Sequence, residues 1–194
     1  MLNLKDPDLP AWPAALKPIG EGKFDQEPFD AWWARHGHAL SHLHPQIAEQ
    51  WIHRHWTYSH FSFLPLDELA SREESWDSGT IVRDVMRYGH DGCDYTPDFD
   101  YRTFQRRGEA DRHATAVALD AGTWDYPIVV LETPNGFIDA RRPRPDARFV
   151  LIEGHQRMRY LNALHTRGHT PLGPHRIFVL TWTDGVGRKR AETS

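Results

Sequence analysis

At 194 residues and 22.5 kDa, the chain is long enough to bury a real core as one domain, and its eight Trp, nine Phe and six Tyr compensate for a polar mean hydropathy of −0.66. A formal charge of −4 makes nucleic acid an unlikely partner, since it argues against broad affinity for DNA or RNA. No apolar run approaches a membrane span, the N-terminus lacks the order of a signal peptide, and the single Cys93 excludes an internal disulfide framework, so no membrane partner and a reducing, cytoplasmic setting are expected.

Residues 1–26, with Pro7, Pro10, Pro13, Pro18, Gly20 and Gly22, read as an irregular arm anchored by Trp12 and Phe24. A helix is predicted from Pro28, a good first-turn residue, through Phe29, Trp32, Trp33 and His36. A second starts after Pro45, with Ile47, Trp51, Ile52 and His55 on one face, giving an antiparallel helical pair. Two such short helices cannot hold a core of their own, so Trp32, Trp33, Trp51 and Trp56 are expected to be mostly buried. Seven histidines fall between His36 and His60, yet their spacing scatters them over several faces, which suits packing and capping better than Zn²⁺ ligation.

Phe61–Leu66 reads as the first strand, turning at Asp67-Glu68-Leu69. Thr80 to Tyr88 carries Ile81, Val82, Val85 and Tyr88 at helical positions, followed by a polar, acidic loop around Cys93 that does not fit an EF-hand. A helix is predicted over Glu109–Asp120 with Ala110, Ala114, Val117, Ala118 and Leu119 inward, closed by Gly122. The strand of 126–131 is near-continuously apolar and hence central, and Pro134-Asn135-Gly136 turns the chain. Basic clusters at 102–107, 141–148 and 188–190 read as solvated loops and tail. Further strands are predicted at 149–153 and 176–182.

The organising stretch is Phe149-Val150-Leu151-Ile152-Glu153-Gly154-His155-Gln156-Arg157. A β-branched apolar run stops at an acid and a glycine, and Met158, Leu161 and Leu164 then recur at helical spacing. The free N–H groups of a helix's first turn, with the helix dipole, favour an anion at that junction. Gly154 permits close approach of a ligand, and Arg157 offers a planar fork to phosphate while adding little core area. Glu153 could hold a metal ion or act as a base. The bland alternative is an ordinary strand–helix turn, with Gly154 as steric relief and Arg157 solvated.

Val150-Leu151-Ile152-Glu153-Gly154-His155-Gln156-Arg157, the helix after it, and the upstream Gly122-Thr123-Trp124-Asp125-Tyr126-Pro127-Ile128-Val129-Val130 resemble the ParB/sulfiredoxin-like domain. The resemblance covers roughly residues 60–182 and is closest from Gly122 to Leu180. The acid-Gly-His-x-Arg form is nearest to the free-serine kinases, whose corresponding loop binds nucleotide phosphates. It implies a loop of Gly154, His155, Gln156 and Arg157 for ATP or another nucleoside triphosphate with Mg²⁺, the metal on Glu153. It further implies catalytic roles for Glu153 and His155, and for Glu68 as general base, with Asp67 and Glu73 as alternatives. Sulfiredoxins carry a cysteine where this chain has His155, so sulfinic-acid reduction is not expected.

The expected fold is α/β (α+β): a small mixed sheet with packed helices, plus an N-terminal helical pair. The expected division is 1–57 for arm and helical pair, 58–183 for the ParB/sulfiredoxin-like domain and 184–194 for the tail. Two function classes follow: a nucleotide-binding protein with Mg-dependent phosphoryl transfer or hydrolysis, or a protein-binding module gripping its partner with aromatic N-terminal helices. A ParB-like DNA-associated protein or nuclease is a third, weaker alternative, since no second acidic cluster appears.

Overall fold

The strand and helix on either side of Gly154 form as the sequence dictates, and the rest of the sheet is built around them. The computed structural model describes residues 1–3, 12–20, 25–87, 96–105, 112–138 and 143–183. The expectations for Pro7, Pro10, Gly22, Phe24, Cys93, Arg106, Arg107, residues 109–111, Arg141, Arg142 and the 184–194 tail lie outside those residues.

The fold is mixed α+β. Its strands are β1 (Leu2–Asn3), β2 (Leu69–Trp76), β3 (Val85–Arg87), β4 (Ile128–Glu132), β5 (Phe137–Ile138), β6 (Pro143–Arg144), β7 (Phe149–Glu153) and β8 (His175–Trp182). The helices are α1 (Phe29–His36), α2 (Pro45–Ile47, continuing as a π-helix over Ala48–His53), α3 (Ser78–Asp84), α4 (Pro97–Gln105), α5 (Ala114–Asp120) and α6 (His155–Thr166). The main sheet has the order β2-β8-β4-β7-β3, and a small sheet has the order β1-β5-β6. β4 is the central strand, as its near-continuous apolar run predicts, and β7 beside it is antiparallel to β4 and parallel to β3.

The chain divides into two compact units, one of Met1–Lys5 and Glu73–Val179, the other of Asp6–Arg72 and Leu180–Ser194. In the first, α6 lays Met158, Leu161 and Leu164 against Ile128, Val130, Leu151, Ile177 and Val179, with Phe104, Leu119 and Trp124 closing the core. In the second, Trp32 and Trp51 are buried while Trp33 and Trp56 are half-buried. Trp12 is buried too, its ring 5.2 Å from Trp51 and 5.4 Å from Trp56, so Trp12 is an anchor of the arm as expected. Phe61, Leu64, Leu66 and Leu69 belong to the same unit and are buried, so the helices do not depend on their own side chains alone.

Several expected elements differ. Residues 61–66 are not a strand: Leu64 N–H bonds the Phe61 carbonyl and Glu68 N–H the Pro65 carbonyl, turn bonds that take the groups a ladder would use. Phe61 and Leu64 are both buried at a spacing of three, where a strand face requires two. The first long strand is instead β2, an edge strand whose polar Ser71, Arg72, Glu73 and Glu74 mask its period. The helix from Thr80 stops at Asp84, because Val85 turns extended and pairs Val85–Arg87 with Phe149–Leu151. Among the described residues α5 begins at Ala114, and its inward residues are Thr115, Ala116 and Leu119, with Val117 49% exposed. Gly122 does close it, at φ 117°.

Three of the histidines of 36–60 make packing or capping bonds. His42 Nε2 lies 2.7 Å from the Leu66 carbonyl, His44 Nδ1 accepts from Gln46 N–H, and His53 Nε2 lies 2.9 Å from the Glu27 carbonyl. Glu27 also accepts from both terminal nitrogens of Arg35 and from Ile19 N–H. Chiefly the Arg35 bond holds its carboxyl down at about 2, from an ordinary 4.5. A depressed carboxyl stabilises the fold above its unfolded pKa and loses that contribution as pH falls through the folded one. Glu27→Gln is therefore expected to be less stable than wild type at neutral pH, the gap closing between pH 4.5 and about 2. Paired urea melts across that range, showing a gap independent of pH, would contradict this.

Candidate functional site

Gly154 stands between β7 and α6 with φ 101° and ψ 26°, a left-handed conformation that a glycine adopts without steric cost. A Cβ there would lie 2.6 Å from Ile128 Cγ2, so the glycine also lets β4 approach the turn closely. Val129 pairs with Glu153 and Val130 with Leu151, leaving Ile152 as an extra residue, a bulge just before the turn. As N-cap, Gly154 supplies no side chain to the first turn, and the helical ladder begins with Met158 N–H to the Gly154 carbonyl. The N–H groups of His155, Gln156 and Arg157 thus precede the ladder, at the positive end of a helix of 12 residues.

Arg157, 9% exposed, is neither solvated nor slight in buried area. Its Nε donates to Asp125 Oδ1 at 3.0 Å, and its guanidinium carbon lies 5.6 Å from the centre of the Tyr126 ring. Thr115 Oγ1, in the first turn of α5, lies 3.4 Å from the same Asp125 oxygen. The carboxylate therefore joins α5, the approach to β4 and α6, and fixes the plane of the guanidinium. Among the described residues Nε is the guanidinium's one hydrogen-bonding nitrogen, so its two terminal amino groups retain their donors.

Comparison with family models, with curated proteins and with solved structures found no match.

The structure brings Glu153, Gly154, His155, Gln156 and Arg157 together at one strand–helix junction, with Gln156 exposed and Glu153 and His155 half-buried. Glu68 belongs to the other unit, on a 3-10 turn (Leu66–Glu68), where its carbonyl accepts from Thr183 N–H and Oγ1. Among the described residues no three or more His, Cys, Asp or Glu side chains gather as a metal site. Asp125, Thr115 and Tyr126 are the residues that sequence reasoning missed as members of the site. Asp125 stands in the quoted stretch before β4, but nothing local marks it as the partner of an arginine 32 positions away.

A cleft of about 430 Å³ opens at the other end of α6, lined by Tyr101, Gln105, Asp120, Gly122, Leu164 and Pro171 among others. Leu164 is ten residues past Gly154, which at 1.5 Å per residue puts the cleft roughly 15 Å along the axis from the junction. Gln105 Nε2 donates to Tyr160 Oη at 2.5 Å, and Tyr160 donates to Asp120 Oδ1 at 3.1 Å. Burial pushes the Tyr160 hydroxyl up, opposed by the nearby Arg112 and by the Gln105 bond.

Proposed function

We propose that this chain is a ParB/sulfiredoxin-like protein that binds the phosphates of a nucleotide at the Glu153–Arg157 junction, with Mg²⁺-dependent phosphoryl transfer or hydrolysis as its reaction. The observation that carries the reading is the uncapped N-terminus of α6 beside an arginine whose terminal donors are unspent. A helix N-terminus and an arginine fork are complementary to phosphate oxygens, and phosphoryl transfer mostly requires such positioning and neutralisation. Mg²⁺ commonly rests on one or two carboxylates and on the phosphates themselves, and Glu153 is the carboxylate at this junction. His155, beside it, would carry a proton; Glu68 enters only through the resemblance. The buried Trp32 and Trp51 make the alternative of a protein-binding module on the aromatic helices less attractive.

Thermal shift against a panel of nucleotides with Mg²⁺ tests the reading. A bound nucleotide at ten times its Kd is expected to add about 1.4 kcal/mol of stability. No shift with any nucleotide or with inorganic phosphate would overturn it. Glu153→Gln is expected to leave most of the binding intact and to abolish turnover, since it removes the charge that holds Mg²⁺ or moves a proton. Equal loss of binding and turnover would argue against that role.

A further inference from the structure

The loop of 168–174, between α6 and β8, is tied to the core through the buried Ser78 and His175, with the exposed Thr123 on the far side of the imidazole. Ser78, the first residue of α3 and 2% exposed, donates its hydroxyl proton to the Pro171 carbonyl. His175, fully buried at the start of β8, places Nε2 2.7 Å from the same Ser78 Oγ and Nδ1 3.1 Å from Thr123 Oγ1. Its ring lies 4.6 Å from that of Trp124, and a Cβ on Gly173 would stand 3.0 Å from its Cδ2.

Proton counting fixes the tautomer. A carbonyl only accepts, so the one Ser78 proton points at Pro171, and Nε2 must donate to Ser78 Oγ. Nδ1 then accepts from the Thr123 hydroxyl. An imidazole already protonated at Nε2 cannot take a proton from Ser78, so the pair is not a nucleophile and base. Of these bonds the one from Thr123 requires the neutral ring, and the full burial of the imidazole disfavours its charged form.

We propose that Ser78, His175 and Thr123 form a latch released by acid, which frees the 168–174 loop and with it the Pro171 wall of the cleft beside Tyr101 and Gln105. A second proton would go to Nδ1, facing the Thr123 hydroxyl proton, and would leave a buried cation. The charged groups on the surrounding elements are committed elsewhere. Asp77 on the α3 side accepts from Thr80, Arg176 on β8 pairs with Glu73 of β2, Glu74 accepts from Trp76, and Asp125 beyond Trp124 holds Arg157. His169, on the loop itself, is exposed. Burial accordingly holds the His175 pKa below its ordinary 6.5, with the Pro171 carbonyl and the Asp77 charge offsetting part of the effect. Because the unfolded or released ring binds the proton first, the latch is at full strength above pH 6.5 and weakens as pH falls below it.

The test follows the His175 ring signal by NMR and amide exchange of 168–174, corrected for intrinsic rates, from pH 7.5 to 5 in the full chain. One linked proton can change an opening constant by up to about tenfold per pH unit, so loop protection is expected to fall as pH drops below 6.5, at no more than that rate, while β4 and β7 amides stay protected. His175→Gln, which keeps a donor and an acceptor without titrating, is expected to lose that dependence. Ser78→Ala is expected to leave the loop weakly protected at every pH. Loop and strand protection falling together, a pH dependence surviving in His175→Gln, or full loop protection in Ser78→Ala would each overturn the latch. Should His175→Gln not fold, the wild-type series and Ser78→Ala decide the matter.

Discussion

Gly154→Ala is expected to destabilise the protein by about 2–5 kcal/mol, the sum of a left-handed backbone penalty of roughly 1–2 and an overpacking cost of roughly 1–3. The two costs have separate origins. At φ 101° any L side chain is strained, whatever space surrounds it. The new Cβ would also meet Ile128 Cγ2 at 2.6 Å, and Ile128 is a fully buried core residue that cannot simply step aside. Ile128→Ala removes Cγ2, the atom the new Cβ would meet first, so in the Gly154→Ala background it should recover part of the overpacking cost, read against the cavity cost of Ile128→Ala alone, and none of the backbone cost. Chemical denaturation of the wild type, both single variants and the double gives the two contributions. A Gly154→Ala melt indistinguishable from wild type would mean that the turn is more permissive than its geometry implies.

Arg157→Ala is expected to act on two quantities at once. If the junction holds a phosphate, losing a charge-assisted fork weakens binding by about 1.5–3 kcal/mol, roughly 10- to 150-fold. It also breaks the pair with Asp125, for a stability cost of about 1–3 kcal/mol, moderated because that carboxylate keeps some contact with water. A cycle with Asp125→Ala separates these: the stability costs should be less than additive, since each single change already breaks the same bond. Arg157→Lys should keep part of the binding but lose the Nε anchor and the fork. If Arg157→Ala destabilises while the wild type binds no nucleotide, the arginine is a structural ion-pair residue and the phosphate reading fails.

What was legible in the chain depended on how local the physics was. The Phe149–Glu153 strand, the glycine break and the helix after it could be read because an apolar run, a conformationally free residue and a helical period succeed one another without interruption. Gly122 as a helix stop was legible for the same reason. β2 was not, since an edge strand of Ser, Arg and Glu shows no apolar alternation. The 61–66 segment misled because its aromatic and aliphatic residues are buried by turns, which leave no period-two signature. β3 was hidden inside a helical pattern: Val85 suits either state and only pairing with Phe149 selects one. Asp125 and His175 illustrate the general limit, because their meaning lies in partners 32 and 97 positions away.

The division of the chain carries a consequence for the order in which it can be completed during synthesis. Neither unit is one continuous stretch: residues 6–72 are made early, but their unit also takes in 180–194, and the intervening segment builds the other unit. Thr183, which bonds the Glu68 carbonyl through both its N–H and its hydroxyl, leaves the ribosome 115 residues after its acceptor. The unit of residues 6–72 is therefore mostly made early but completed late, and its apolar residues, Trp32 and Trp51 included, must wait through the making of the sheet core. Long-range closure of this kind slows folding and prolongs exposure of unfinished surface.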